Sequence, residues 1–170
     1  MITPAYVRTM AAYNSEMNRR LYGPAARLSD EARKANRAAF FGSLHRTLNH
    51  ILWGDQAWMS RFAGWEKPPG SLKDSPDWFD DFAQLQAARF DADRRIEDWA
   101  KSIDQAWIDQ PLVWFSGAAN REISMPRGLL VSHLFNHQTH HRGQAHALIT
   151  AAGEKTEDTD LFLVVPQVIA

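Results

Sequence analysis

The sequence predicts an all-α four-helix bundle with a short β-hairpin or irregular crossover before its last long helix. Three observations predict it. Four long stretches carry apolar residues at helical spacing, glycine and proline separate these stretches, and the segment before the fourth has the composition of two strands around a turn. At 170 residues the chain is long enough for one sizeable core, so we expect a single domain over residues 1–170.

The first two long helices follow from their end signals and apolar faces. The first begins at Thr3, a capping residue, and Pro4, which occupies the favoured first helical position. It is expected to stop or kink at Gly23–Pro24, because proline removes a backbone donor. The second covers roughly residues 37–62 and ends at Gly64.

The second half of the chain contains two more helices and the hairpin. Ser75–Asp77 starts the third helix, and Arg89 interrupts its apolar face. For Arg89 we expect an internal salt bridge with an aspartate, with a bound carboxylate ligand as the alternative. Residues 112–125 form the hairpin, whose turn includes Ala118. The last long helix opens at Pro126 and is closed by Gly153.

Composition excludes several classes of function. The formal net charge of −1 and the pI of about 6.6 provide no basic field for nucleic acid or an anionic membrane. The absence of cysteine excludes disulfides, thiolate zinc sites and cysteine nucleophiles, and agrees with a reducing cytoplasm, where we expect the protein. We expect no signal peptide and no membrane span, since no stretch approaches about 20 apolar residues.

The chain is rich in aromatic residues, with seven Trp and nine Phe. So much aromatic surface predicts burial in a wide core, in a pocket or against a partner. The second helix has an apolar face and a second face of small and polar residues, which adds to the expectation of a homodimer. The apolar residues 161–165 are expected to dock on the rest of the chain.

A pair of histidines on the last helix is the strongest sign of chemistry. His137 and His141 are four residues apart, so both imidazoles lie on one face about one helical turn apart. They fall on the apolar stripe of that helix, where two buried imidazoles are costly without partners. A shared metal ion satisfies both, and a third histidine with one coordination position left open is typical of a reactive metal site.

The residues alone leave two candidates for the third ligand. His50 lies on the small, polar face of the second helix, where an ion and a small molecule would fit, whereas His45 lies nearer the apolar stripe. A lone core histidine such as His45 or His133 more often bonds to a backbone carbonyl. The sequence lacks the Glu of His-Glu-x-x-His and the Glu-x-x-His pairs of di-iron bundles, so neither class is indicated.

Two segments together resemble a known family. Ser43–Asp55 (SLHRTLNHILWGD) and Asn136–Gln144 (NHQTHHRGQ) are similar to the DinB family of the DinB/YfiT-like metalloenzymes, the damage-inducible helical proteins. The resemblance spans essentially the whole chain. It implies a four-helix bundle, commonly dimeric, in which three histidines bind a divalent metal. The family pattern falls on His50, His137 and His141, and so favours His50 over His45.

The resemblance also implies a class of function. The expected cofactor is a divalent ion, Zn²⁺ or Ni²⁺ first, with iron, manganese and copper still open. Related proteins are thiol-dependent transferases and isomerases, and here any thiol must come from a low-molecular-weight cosubstrate because the chain has no cysteine. Asp55, His140 and Gln144 are candidates for supporting or proton-transfer groups. The alternative is a non-catalytic stress-response or binding scaffold with a structural or regulatory metal.

Overall fold

The protein is mostly helical, with one small antiparallel hairpin. The computed structural model describes residues 2–117 and 119–168, with side chains described as far as residue 165. In chain order the described elements are α1 (Pro4–Arg27), α2 (Asp30–Lys34), α3 (Leu44–Phe62), a 3₁₀ turn (Ser75–Asp77), α4 (Phe82–Ser102), α5 (Gln105–Asp109), β1 (Pro111–Ser116), β2 (Arg121–Pro126), α6 (Arg127–Ala151) and α7 (Leu161–Val168).

The four long helices pack against one another in pairs. Helix α1 contacts α4 and α6, and α3 contacts the same two helices. Their apolar faces form two main clusters of buried side chains, one containing Leu134 and Phe135 and the other Leu48 and Ile149. None of the described helices is both long enough and apolar enough to cross a membrane.

The hairpin lies where the sequence predicts it. Strands β1 and β2 pair in antiparallel register from Pro111 opposite Pro126 to Ser116 opposite Arg121. Alternate residues of β1 are half-buried, as expected for a strand with one face on the core. Ala118 of the predicted turn lies outside the described residues.

Two helices begin later than the apolar pattern predicts, and a cap explains each start. Helix α3 begins at Leu44 rather than near residue 37, because Gly42 has a positive φ of 83° and the Ser43 side chain accepts a hydrogen bond from the backbone N–H of Arg46. Helix α4 begins at Phe82 because Asp81 caps it in the same way, and the predicted start at residues 75–77 forms a 3₁₀ turn. Apolar spacing extends beyond a helix wherever the flanking residues also pack.

The other helix ends match the sequence more closely. Helix α1 does not stop at Gly23–Pro24 but continues to Arg27. Pro24 therefore lies in the last turn of the helix, where it is buried. Helix α6 ends at Ala151, and Gly153 adopts the positive φ of 93° that closes a helix. The predicted docking of the C-terminal apolar segment is seen at Val164, which is 1% exposed and packs in a cluster with Tyr13 and Met17.

Both faces of α3 are buried within this one chain. The apolar residues Leu48 and Ile51 pack in the core, and Thr47, Gly54 and Ala57 on the small, polar face are buried as well. Helix α6 packs against α3. The two-sided character of this helix is therefore explained by packing inside the chain.

Candidate metal centre

Three histidines from two helices converge. Helix α3 supplies His50, and α6 supplies His137 and His141 from successive turns. One ring nitrogen from each of the three lies within 4.8 Å of the others. The His50 Nε2 and His137 Nε2 atoms are 3.1 Å apart. His50 and His141 are buried and His137 is half-buried, so the cluster lies just below the surface of the α3–α6 groove.

The tautomer of His50 is set by a serine from the 3₁₀ turn. The Ser75 hydroxyl donates its proton to the backbone carbonyl of Leu72 at 2.7 Å. It therefore accepts from His50, whose Nδ1 lies 2.8 Å away. With the proton on Nδ1, the lone pair of His50 Nε2 faces the other two histidines, which is the form that binds a metal.

A glutamine orients His141 in the same way. The His141 Nδ1 atom lies 2.8 Å from Oε1 of Gln144, and an amide oxygen only accepts. The proton is therefore on Nδ1, and the Nε2 lone pair is free. The amide nitrogen of Gln144 donates in turn to His140 Nε2 at 3.2 Å. His140 thus bonds to the partner of His141, and its ring also lies edge-on to that of His141 with 4.8 Å between centroids.

His137 has one ring nitrogen without a hydrogen-bond partner. Its Nδ1 is buried without a hydrogen-bond partner in the described part of the chain. Its ring lies against α3 at Gly54, where a Cβ would be 3.0 Å from His137 Cε1. The glycine thus makes room for the ring. The Nε2 atoms of His50 and His137 are 3.1 Å apart, close enough to share a cation with metal–nitrogen bonds of about 2.0–2.1 Å.

Burial keeps these imidazoles neutral. Desolvation, with a smaller contribution from the neighbouring His141, lowers the pKa of His50 to about 4 and that of His137 to about 3. Desolvation also lowers the pKa of His141. A transition metal binds the neutral ring, so the three donors are ready for it at neutral pH. A set of neutral imidazole nitrogens fits zinc, nickel, copper or iron.

The surroundings of the cluster are aromatic on one side. The Phe41 ring stacks on His50 with 4.1 Å between centroids, and it lies 5.3 Å from the ring of His141. The preceding residue, Phe40, is 80% exposed to solvent. Within the described residues, no fourth His, Asp or Glu joins the three. The described residues therefore offer three imidazole donors that could hold a metal ion.

The other histidines have other roles. His45 is buried and its Nε2 lies 2.7 Å from the carbonyl oxygen of Phe79, the ordinary environment expected for a lone core histidine. The same expectation for His133 is wrong, because His133 is exposed and packs edge-on against Trp58 with 5.2 Å between centroids. His45 does not join the cluster, and His50 does.

Asp55 is not a supporting group of the cluster. It is fully buried and forms an ion pair with Arg89, whose other partner is Asp93 at 2.8 Å. The internal salt bridge predicted for Arg89 is therefore confirmed, and Asp55 is committed to it. Gln144 could be recognised from the sequence as a supporting residue of the cluster. Ser75 and Phe41 could not, because neither lies at a recognisable spacing from the histidines.

Comparison with known proteins agrees with this geometry. A search of curated proteins found no match. The sequence model of the DinB family matches residues 1–166, which is nearly the whole chain. The match covers both helices that carry the three clustered histidines. The chain therefore belongs to the DinB family.

Proposed function

We propose that this DinB protein is a divalent-metal-dependent enzyme. Its single domain, residues 1–170, is a four-helix bundle of the DinB/YfiT-like type, and His50, His137 and His141 are its metal ligands. The observation that supports this most strongly is the convergence of three ring nitrogens within 4.8 Å, two of them with tautomers set by other side chains. Imidazole donors favour Zn²⁺ or Ni²⁺, with iron, manganese and copper as the other candidates.

The proposed reaction is a thiol-dependent S-transfer or isomerisation. When bound, a divalent ion lowers the pKa of a water or thiol that it coordinates and so supplies a nucleophile near neutral pH. The chain contains no cysteine, so the thiol comes from a low-molecular-weight cosubstrate. Ser75 and Gln144 hold the ligand rings in place, and Phe41 keeps water from one side of His50.

The competing proposal is a non-catalytic stress-response or binding scaffold with a structural or regulatory ion. A structural zinc site is usually closed by four protein ligands, whereas a catalytic site keeps an open position. The cluster of three without a fourth ligand from the described residues favours the enzyme.

We also propose that the protein is a cytoplasmic homodimer with no nucleic-acid or membrane partner. Large exposed aromatic side chains support self-association, since Phe40, Phe115 and Phe162 are 80%, 65% and 74% exposed. The net charge of −1 argues against nucleic acid. Light scattering at micromolar concentration should give the mass of a dimer, and the mass of a monomer would contradict the proposal.

Metal analysis of the purified protein tests the ligand assignment. We expect a single divalent ion per chain in the wild type and its loss in His50→Ala, His137→Ala and His141→Ala, since each change removes one of three donors. His146→Ala is the matched control, because His146 lies outside the cluster and contacts Thr156. Full metal content in all three cluster variants would overturn the assignment.

A thiol screen tests the reaction. Metal-loaded wild type is incubated with low-molecular-weight thiols and electrophiles, and both the loss of free thiol (S-transfer) and the conversion of the electrophile (isomerisation, which returns the thiol) are followed. We expect turnover that disappears after chelation and returns when metal is added. A metal-loaded protein that turns over none of them, yet unfolds when the ion is removed, would favour the structural alternative.

A further inference from the structure

A second site lies on the other side of α6. A cavity of about 160 Å³ opens between α1, α6 and residues 154–160. The α6 residues that line it include Thr139 and Arg142, which a helical wheel places away from His137 and His141. The cavity is therefore separate from the metal centre.

The outer wall of the cavity is held in place by α1. The Tyr13 hydroxyl donates to the backbone carbonyl of Thr159 at 2.6 Å, and Arg20 Nη1 donates to that of Asp158 at 2.9 Å. Arg27 binds Glu154 at 2.7 Å at the beginning of the same segment. These contacts fix residues 154–160 across α1 and α6, so the space beneath them is a defined part of the fold that remains partly open to solvent.

Arg142, which lines this space, is buried and has no ion-pair partner among the described residues. Arg142 is 6% exposed, and its side chain donates to two neutral groups, Gln138 Oε1 at 3.0 Å and Thr139 Oγ1 at 3.3 Å. The guanidinium carbon also lies 5.8 Å from the centre of the Tyr13 ring, and its charge interacts at longer range with the buried carboxylates of Asp55 and Asp93. Across the described chain, no carboxylate lies within 4.0 Å of Arg142. The two hydrogen bonds to Gln138 and Thr139 use two of the five N–H donors of Arg142.

The acidic groups around Arg142 are committed elsewhere. The buried carboxylates of Asp55 and Asp93 both bind Arg89. Glu157, which also lines the cavity, is 58% exposed and lies 3.5 Å from Arg20. The charges of Asp55 and Asp93 reach Arg142 only from beyond ion-pair distance, so an anion that pairs directly with the guanidinium would have to come from outside the described chain.

Part of the lining is apolar, beside the polar side chains of Thr139, His146, Thr156 and Thr159. Met17 and Leu21 are 3% and 6% exposed, and the ring of Tyr13 lies beside them. A cavity of about 150 Å³ lined by such side chains admits a molecule the size of benzene. The occupant that fits has a flat anionic head for the guanidinium and an apolar tail of a few carbon atoms.

We propose that this cavity binds a short-chain carboxylate whose head pairs with Arg142 and whose alkyl chain contacts Met17 and Leu21. Guanidinium and carboxylate form two parallel hydrogen bonds in the usual geometry, which gives the site its preference for acids. The proposal does not depend on the metal centre or on the reaction proposed for it.

The test compares butyrate with butyramide, which has the same shape and no charge. Metal-free, isotope-labelled protein is titrated with each, so that butyrate has no bound ion to coordinate. We expect butyrate to shift the backbone amide signals of Gly143 and Thr156 saturably and to leave that of His50 in place. Butyramide should bind at least about tenfold more weakly, because it lacks the charge-assisted bonds.

Two variants complete the test. Arg142→Gln should lose the preference for the acid, whereas His137→Ala should bind butyrate as the wild type does. Equal binding of acid and amide by the wild type, or binding of neither, would overturn the proposal even if Arg142→Gln failed to fold. Unchanged butyrate binding by a folded Arg142→Gln protein would overturn it as well.

Discussion

Replacing Gly54 by alanine should weaken zinc binding about 10- to 100-fold, the range seen when the support of a metal ligand is disturbed. Gly54 lies one turn after His50 on α3, where the backbone meets the ring of His137. A Cβ at this position would lie 3.0 Å from Cε1 of His137 and 3.5 Å from its Nδ1.

The size of the effect follows from contact distances. Carbon atoms in favourable contact are about 3.5–4.0 Å apart, so the His137 ring has to move by roughly 0.5–1 Å. Zinc–nitrogen bonds are about 2.0–2.1 Å long. They tolerate deviations of about 0.2 Å. The movement therefore exceeds the tolerance, and an ion bound as proposed would lose His137 as a ligand or hold it in a strained bond.

The assay is calorimetric titration of metal-free protein with zinc, alongside thermal unfolding. Gly143→Ala is the matched control, because Gly143 is an exposed helical glycine with nothing within 4 Å of its Cβ position. Both variants gain helix propensity of about 1 kcal/mol, so a difference in zinc affinity reports on the ring of His137. Equal zinc affinities of folded Gly54→Ala and Gly143→Ala would refute the reasoning.

Three further perturbations test the surroundings of the cluster. Ser75→Ala should weaken zinc binding about 10- to 100-fold, measured by competition with a chelator, because His50 Nδ1 loses its acceptor. Arg89→Ala should lower the free energy of unfolding in urea by about 3–5 kcal/mol, because it leaves two buried carboxylates without their cation. In the metal-free protein the two buried histidines should make the free energy of unfolding fall as the pH drops below about 6.5, whereas Asp93, whose pKa is raised to about 7 by burial, acts in the opposite direction. Burial lowers the pKa of His50 to about 4 and that of His137 to about 3, so these two rings bind more protons in the unfolded chain in this range.

Each of these three predictions is checked against a control variant. Ser60→Ala removes a serine hydroxyl on α3 that bonds only to the backbone of its own helix and should leave zinc binding unchanged. Arg94→Ala breaks an exposed ion pair and should have little effect on stability. A His50→Gln, His137→Gln double variant should lose part of the pH dependence. A pH profile parallel to that of the wild type would show that the two rings do not titrate as their burial implies.

Local spacing along the chain was enough to predict much of this protein. The helical repeat of apolar residues predicted four long helices, and the strand-like segment before residue 126 predicted the hairpin. The pair His137 and His141 could be recognised because residues four apart share a helix face whatever surrounds them. His50 needed the family resemblance, because its own helix offered His45 as an alternative.

Contacts between distant parts of the chain were decided by the tertiary structure. Ser75 reaches His50 from a turn 25 residues away, and Arg89 lies between two aspartates on different helices. The cavity beside Arg142 exists because residues 154–160 cross two helices. Such contacts depend on how helices pack and on where loops return. Spacing along one helix predicts which side chains share a face, whereas only the packed chain determines what that face meets.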